Sequence, residues 1–402
     1  MKKLEKSVPV IRFKGFSEAW EQRKVSDYAI NTYGGGTPKT NVPEYWSGEI
    51  PWIQSSDLLI SNLFNVIPKK YITELAVKSS ATKFIPANSI AIVSRVGVGK
   101  LVFMPFEYTT SQDFLSLSNL QVDSNFGVYS IYMMLQKELK NIQGTSIKGI
   151  TKTDLLEKNI NKPSSREEQQ KIGAFFKQLD NTITLHQRKL DALKLMKKGF
   201  LQQMFPKIEA DIPKIRFADF DGKWEQRKLG EIFNERSERS ADGELISVTI
   251  NSGVIKASKL EKKDNSSFDK SNYKVVKKGD IAYNSMRMWQ GASGYSTYDG
   301  ILSPAYTVIY PRKDIDTIFI AYMFKKIDMI QTFQRNSQGL TSDTWNLKFP
   351  SLSTIKIKIP ANDEQIKITN LFQKLEYTSI LHQNQIEMLK KVKKAYLQTM
   401  FI

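Results

Sequence analysis

Residues 168–205 read EQQKIGAFFKQLDNTITLHQRKLDALKLMKKGFLQQMF, and residues 364–401 read EQIKITNLFQKLEYTSILHQNQIEMLKKVKKAYLQTMF. Eighteen of the 38 aligned positions are identical, at a constant offset of 196. In the first copy one position repeats at alternating steps of four and three: Ile172, Phe176, Leu179, Ile183, His186, Leu190, Leu193, Lys197, Phe200, Met204. The second copy gives Ile368, Phe372, Leu375, Ser379, His382, Ile386, Leu389, Lys393, Tyr396, Met400. A seam of this spacing keeps one face of a helix turned toward a partner helix, which is the pattern of a coiled coil. At 1.5 Å rise per residue each helix runs about 57 Å. Antiparallel pairing with full overlap sets Ile172 opposite Tyr396, Leu179 opposite Leu389, Leu193 opposite Leu375 and Phe200 opposite Ile368. His186 and His382, the only histidines in the chain, then meet mid-seam as a polar register pin.

The helix ends carry their own signals. Ser164 followed by Glu167 is a capping-box pattern, and Asn362 with Gln365 repeats it. Pro206 closes the first copy, because proline cannot continue a helix.

A second repeat frames the other end of each copy. Pro9 to Lys24 returns as Pro213 to Lys228 with ten of sixteen positions identical, including Arg12/Arg216, Trp20/Trp224 and the EQRK run that follows each tryptophan. Between the repeats lie two stretches, roughly 25–162 and 229–359, that hardly match each other. Their short β-branched and aromatic runs are broken by Gly, Pro and Asn and read as strands and turns. Tyr129 to Leu139 and Thr317 to Phe333 read as helices. The fold class expected is mixed α/β (α+β): two globular α/β domains joined by two long helices in an antiparallel coiled coil, with a pseudo-two-fold internal duplication. The boundaries expected are 1–163 for the first domain, 164–206 for the first helix, 207–360 for the second domain and 361–402 for the second helix. One frame used twice around two different inserts implies one scaffold task done twice and two recognition tasks.

Composition limits the chemistry. The 402 residues hold 59 Lys plus Arg against 41 Asp plus Glu, a formal charge of +18, and no cysteine. Absence of cysteine excludes disulfides and thiolate zinc sites. Two histidines, both on the long helices, leave no credible triad. The Lys-rich start lacks the apolar core of a signal peptide, and no run of about 18 apolar residues would span a membrane. A soluble cytoplasmic chain is expected. The charge favours a polyanionic partner, although a uniformly lysine-rich composition gives the same total. Gly97-Val-Gly99-Lys100 lacks the glycine spacing and the Ser/Thr of a phosphate-binding loop. The run Gly34 to Gly36 lacks the spacing of a dinucleotide fingerprint and reads as a flexible turn.

The order of these parts resembles the DNA specificity (S) subunits of type I restriction–modification enzymes. The carriers are Gly34-Gly-Gly-Thr-Pro38, then Trp46-Ser-Gly-Glu-Ile-Pro-Trp-Ile-Gln-Ser-Ser-Asp57, and the duplicated EQ-x-KI helix start with its LQ-x-MF ending. The second variable stretch lacks the first two signatures. The resemblance implies two target-recognition domains, each reading half of a bipartite, asymmetric site on double-stranded DNA, with the helices setting the unread spacer. It implies two modification (methyltransferase) subunits as partners, and restriction (endonuclease/translocase) subunits for cleavage. S-adenosylmethionine, ATP and Mg would then sit on those partners. This chain would be no enzyme by itself and would bind no cofactor or metal. Alternatives are a DNA-binding scaffold without methyltransferase partners and an RNA-binding protein.

Reading a sequence needs polar side chains at base edges, with basic groups on phosphates. The candidates in the first domain are Thr37, Lys39, Ser94, Arg95, Lys100, Thr145 and Lys148. In the second they are Asn284, Arg287, Gln290, Arg335, Gln338, Thr341 and Ser342. Trp20 and Trp224, duplicated with their surroundings, are assigned to scaffold packing, while Trp52 and Trp345 stay open. Leu185, Leu201, Leu381 and Leu397 lie off the seam. They serve either to dock modification subunits or to widen the seam.

Overall fold

The computed structural model describes residues 8–141, 149–207, 209–260, 267–342 and 344–402. The chain divides into two compact units: Met1–His186 with Asn384–Ile402, and Gln187–Gln383.

The first unit runs β1 (Glu21–Lys24), β2 (Ala29–Gly34), β3 (Ile50–Ile53), β4 (Lys70–Ile72), α1 (Glu74–Lys78), β5 (Ser89–Val93), β6 (Leu101–Met104), β7 (Thr109–Thr110), β8 (Phe114–Leu120), α2 (Ser124–Asn141), α3 (Lys152–Leu156) and β9 (Asn159–Lys162), then enters the long α4 (Arg166–Gln203). An antiparallel sheet of order β2-β8-β5-β6 forms its centre, beside a three-stranded sheet β4-β3-β7. All five residues of β5 are buried. Alternate side chains face opposite ways on a strand, so Ile90 and Ile92 enter the core under α2. Ala91 and Val93 enter a second core with Ile53, Ile85 and Tyr108.

The second unit runs β10 (Glu225–Lys228), α5 (Leu229–Ile232), β11 (Phe233–Glu235), β12 (Ile246–Thr249), β13 (Gly253–Lys256), β14 (Lys274–Val276), β15 (Ile281–Asn284), β16 (Ser293–Tyr295), β17 (Gly300–Leu302), β18 (Tyr306–Pro311), α6 (Thr317–Met323), α7 (Ile327–Asn336), α8 (Phe349–Ser353) and β19 (Lys356–Ile359), then α9 (Asn362–Met400). Its sheet has the order β11-β18-β15-β16, the same path as in the first unit. Ile281 and Tyr283 face the main core, and Ala282 faces a smaller one. The helix expected over 317–333 is broken. Lys326 takes an extended backbone (ψ 146°) between α6 and α7. Its buried ammonium is held by the Pro206 carbonyl at 2.7 Å and Asp328 at 3.0 Å.

The repeated sequences build the same frame in each unit. The EQRK strands pair antiparallel with the strands that lead into the long helices, β1 with β9 and β10 with β19. Arg12 grips Glu168 with two hydrogen bonds of 2.6 and 2.7 Å and donates a third to the Glu18 carbonyl. Arg216 grips Glu364 at 2.8 and 2.7 Å and donates to the Gly222 carbonyl. Trp20 packs edge-on to Phe126 and Phe401, and Trp224 edge-on to Phe205. Both tryptophans are scaffold, as the duplication implies.

The long helices run antiparallel. In the first unit the N-terminal part of α4 shares a core with the C-terminal end of α9: Ile172 and Phe176 with Leu397, Met400 and Phe401. In the second unit Met204 and Phe205, at the end of α4, share a core with Ile368 and Phe372 of α9. The register is staggered by three to five residues from full overlap. Tyr396 packs on Phe175, with ring centroids 5.2 Å apart, rather than opposite Ile172. Lys393 reaches Asp180, and Lys197 reaches Glu376. Among the other seam candidates, Leu375 is buried, whereas Leu179, His186, Leu193, Phe200, His382 and Leu389 are half-buried.

The capping boxes differ from expectation. The cap of α4 is Ser165, whose hydroxyl accepts from the Glu168 backbone N–H. Ser164 instead donates to Glu18. Glu168 would complete a box, but its carboxylate is taken by Arg12. Gln365 does not cap α9 either: it donates to the Pro360 carbonyl and accepts from the Asp316 backbone. Gln169 does the same with Pro163 and Asp123. Both glutamines thereby tie a long helix to the start of a domain helix, since Asp123 and Asp316 accept from Phe126 and Phe319.

Candidate nucleic-acid interface

In the first unit the glycine run is a packed crossing, not a flexible turn. Gly36 donates to the Thr110 carbonyl at 2.8 Å. Its own carbonyl accepts from Trp52 Nε1 at 3.0 Å and from the Thr82 hydroxyl at 2.9 Å. A Cβ on Gly35 would strike the backbone of Thr110 and Ser111, and one on Gly36 the backbone of Ala81 and Thr82. Here glycine is required by close approach of backbone to backbone. The two signatures of this stretch are therefore one structure, joined by the Trp52–Gly36 bond. Trp52 is buried edge-on to Trp46, with Lys70 above both rings. Its role is structural.

The candidates in this unit take different positions. Thr37 is exposed and donates to Gln112 at 2.5 Å. Lys39 is exposed. Arg95 is exposed on the turn between β5 and β6, a turn that needs Gly97 (φ 91°) and Gly99 (φ 96°). Lys100 is half-buried and donates to the Ser55 carbonyl at 3.0 Å. Ser94 is 1% exposed, and its hydroxyl donates to the Asp113 carbonyl, so it holds the loop from inside and presents nothing to a base. Thr145 and Lys148 lie outside the described residues.

In the second unit two loops meet. Asn284 is half-buried and accepts from the Met286 backbone, opening a turn that ends at Gly291 (φ 85°). Arg287 is exposed and lies 3.4 Å from Gln290. The neighbouring loop closes on itself through an antiparallel bridge between Gln338 and Asn346. A turn tied by Thr341 and Thr344 lies within it. Trp345 packs edge-on to Trp289 at 5.2 Å, and Leu347 donates to the Ser285 carbonyl. These contacts bring Arg287, Gln290, Gln338, Thr341 and Ser342 onto two joined loops. Arg335, exposed in the last turn of α7, precedes them.

Sequence reasoning missed the side chains that hold these loops. Lys325 is largely buried and donates to the Gly291 carbonyl at 2.6 Å and the Ile250 carbonyl at 3.3 Å. Burial, then the charge of Lys197, pushes its ammonium down to about 8. In the first unit Lys152 sits over Gly34, beside Arg95 and Lys83. No local pattern marks either lysine, because each is defined by what stands across from it.

Each unit also fastens its domain to the helix pair in the same way. Tyr129 donates to Asp180 at 2.6 Å, and Lys393 pairs with the other oxygen of that carboxylate. Tyr322 donates to Glu376 at 2.8 Å, and Lys197 pairs with its other oxygen. Each lysine also lies over the tyrosine ring. This explains a lysine at a seam position: its stem packs in the seam and its tip is neutralised.

Comparison with known proteins agrees with this architecture. The family described as Type I restriction modification DNA specificity domain matches residues 17–195 and again 221–391. The specificity subunit of the type I restriction enzyme MjaIX from Methanocaldococcus jannaschii is 30% identical over 245 residues, 55% of this chain and 53% of that protein. The EcoR124I/EcoR124II specificity subunit from Escherichia coli is 35% identical over 170 residues, 38% of this chain and 40% of that one. The chain thus matches about half the length of these relatives or less. Among solved structures, an S subunit of a type I restriction–modification system from M. genitalium superposes with a TM-score of 0.62 at 16% identity, covering 98% of this chain and 99% of that one. A chain from work on assembly and conformational transition of the type I system gives 0.51 at 14% identity, covering 94% and 96%. With the family matched twice, over most of its length, this chain belongs to the type I restriction–modification DNA specificity family.

Proposed function

We propose that the chain is the reading subunit of a type I restriction–modification complex, with one half of a bipartite, asymmetric duplex site read by each unit. The observation that carries this is the contrast between frame and loops. The Arg–Glu grip, the Tyr–carboxylate–Lys tie and the sheet order are the same in both units. The loops, which expose Arg95 in one and Arg287, Gln338, Thr341 and Ser342 in the other, are unlike in sequence. Identical frames with unlike loops suit two heads reading unlike sequences. The net charge of +18 supplies the sequence-independent attraction to phosphate, so affinity should fall steeply with salt.

Chemistry belongs to the partners in this reading. Two modification subunits carry S-adenosylmethionine and methylate adenine, restriction subunits carry ATP and Mg, and the complex works in the cytoplasm. Leu185 and Leu381, equivalent positions that are 52% and 49% exposed, are offered as docking points for the modification subunits. Leu201 and Leu397 are spent on packing instead.

A domain exchange tests the proposal. Replacing 25–162 with the corresponding stretch of another family member, followed by methylation mapping in the host, should change one half-site only. Change in both halves, or in neither, would overturn the two-head reading. Co-purification without any modification subunit would point to a scaffold alone.

A further inference from the structure

Among the described residues, a cluster of cations in the first unit has no carboxylate paired with it. Gly149 brings the chain before α3 against the backbone of Ser94 and Arg95. Three residues on, the side chain of Lys152 lies across Gly34, where a Cβ would collide with its ammonium. Gly36 is pinned by Thr82, and Lys83 follows. Arg95 and Lys83 thus stand close enough for their charges to act on Lys152, beside the glycine crossing. Among the described residues none of the three makes an ion pair or side-chain hydrogen bond, whereas Lys24, Lys100, Lys158 and Lys162 of this unit do. Partial burial, then Arg95, then Lys83, lowers the pKa of Lys152. A half-buried ammonium held among like charges is costly unless an anion arrives from outside.

We propose that Lys152, with Arg95 and Lys83, forms a clamp for a backbone phosphate of duplex DNA, seated over Gly34. The inference rests on the DNA-reading function proposed above and adds to it a specific phosphate contact. Phosphate contacts fix register without carrying sequence information, so the clamp sets where the neighbouring loop stands on the groove. Glycine at 34 is then explained by the ligand site: it leaves room for the ammonium rather than serving the sheet.

The test uses the full chain with its modification subunits and a short labelled duplex of random sequence, titrated over a series of salt concentrations. Lys152→Gln should weaken binding roughly eightfold near 0.1 M salt and make the slope of log K against log salt shallower by about 0.9. Gly34→Ala keeps every charge but pushes the ammonium aside. Because only the tip of a flexible side chain must move, it should give the same loss with an unchanged melting temperature. Wild-type affinity and salt slope in both variants would overturn the clamp. So would a loss confined to duplexes differing at one base pair, which would make Lys152 a base reader. Failure of the wild-type complex to bind any duplex would sink the underlying function instead, and is read in the same titration.

Discussion

Tyr129 and Tyr322 occupy the same place in their two units, and neither was singled out by the sequence. Each donates to a carboxylate on a long helix while its ring lies in the core. A hydrogen bond to a charged group contributes about 1.5–3 kcal/mol. Tyr129→Phe should destabilise the first unit by that amount in denaturant unfolding, and Tyr322→Phe the second. Lys325 gives a prediction with the opposite chemistry. Its pKa, about 8 when folded, lies below the ordinary lysine value of 10.5, so between those values the unfolded chain holds more protons. Stability of the second unit should therefore rise with pH through that window, and the penalty should be complete below it. Lys325→Met should flatten the rise in urea unfolding followed from about pH 7 to about pH 10. Ser94 shows the limit of residue-level reading. A serine beside an exposed arginine has the right chemistry for a base contact, and only burial removes it.

At the scale of elements, the repeats announced helices, their direction of packing and the tryptophans that anchor them. They did not announce how the ends are used. Ser164 and Glu167 satisfy the pattern of a capping box, yet the cap lies one residue later at Ser165, and that box stays open because Arg12, far away in sequence, claims Glu168. That grip is a largely buried charge pair, with the Glu168 side chain only 1% exposed. Breaking it from one side strands a charge, which costs about 3–5 kcal/mol. Arg12→Ala should lower the stability of the first unit accordingly, and Arg216→Ala that of the second. In a double-mutant cycle, Arg12→Met with Glu168→Gln should cost much less than the sum of the single changes. The stagger of the helices has a related cause. A heptad seam sets which faces meet but leaves the offset free. Lys197 with Glu376 and Lys393 with Asp180 form their ion pairs at the offset observed.

At the scale of the whole molecule, the C-terminal end of α9 completes the core of the first unit. Leu397, Met400 and Phe401 pack with Trp20, Phe126 and Phe176. Phe401→Ala should cost about 3–5 kcal/mol, the usual range for a buried phenylalanine. The loss should appear in the unfolding of the first unit while the second is unchanged, which differential proteolysis of the two units would resolve. Duplication and heptad spacing determined that this chain has two units, a helix pair and a repeated frame, because a recurring string and a local period can both be read from residue order without knowing any contact. They could not show that the two unlike inserts fold onto sheets of the same order, nor which loops those sheets bring together. Strand order, the glycine crossing under Trp52 and the lysines over Gly34 and Gly291 depend on contacts between residues tens to more than a hundred positions apart. Such contacts leave no local period to read, and only the packed chain decides them.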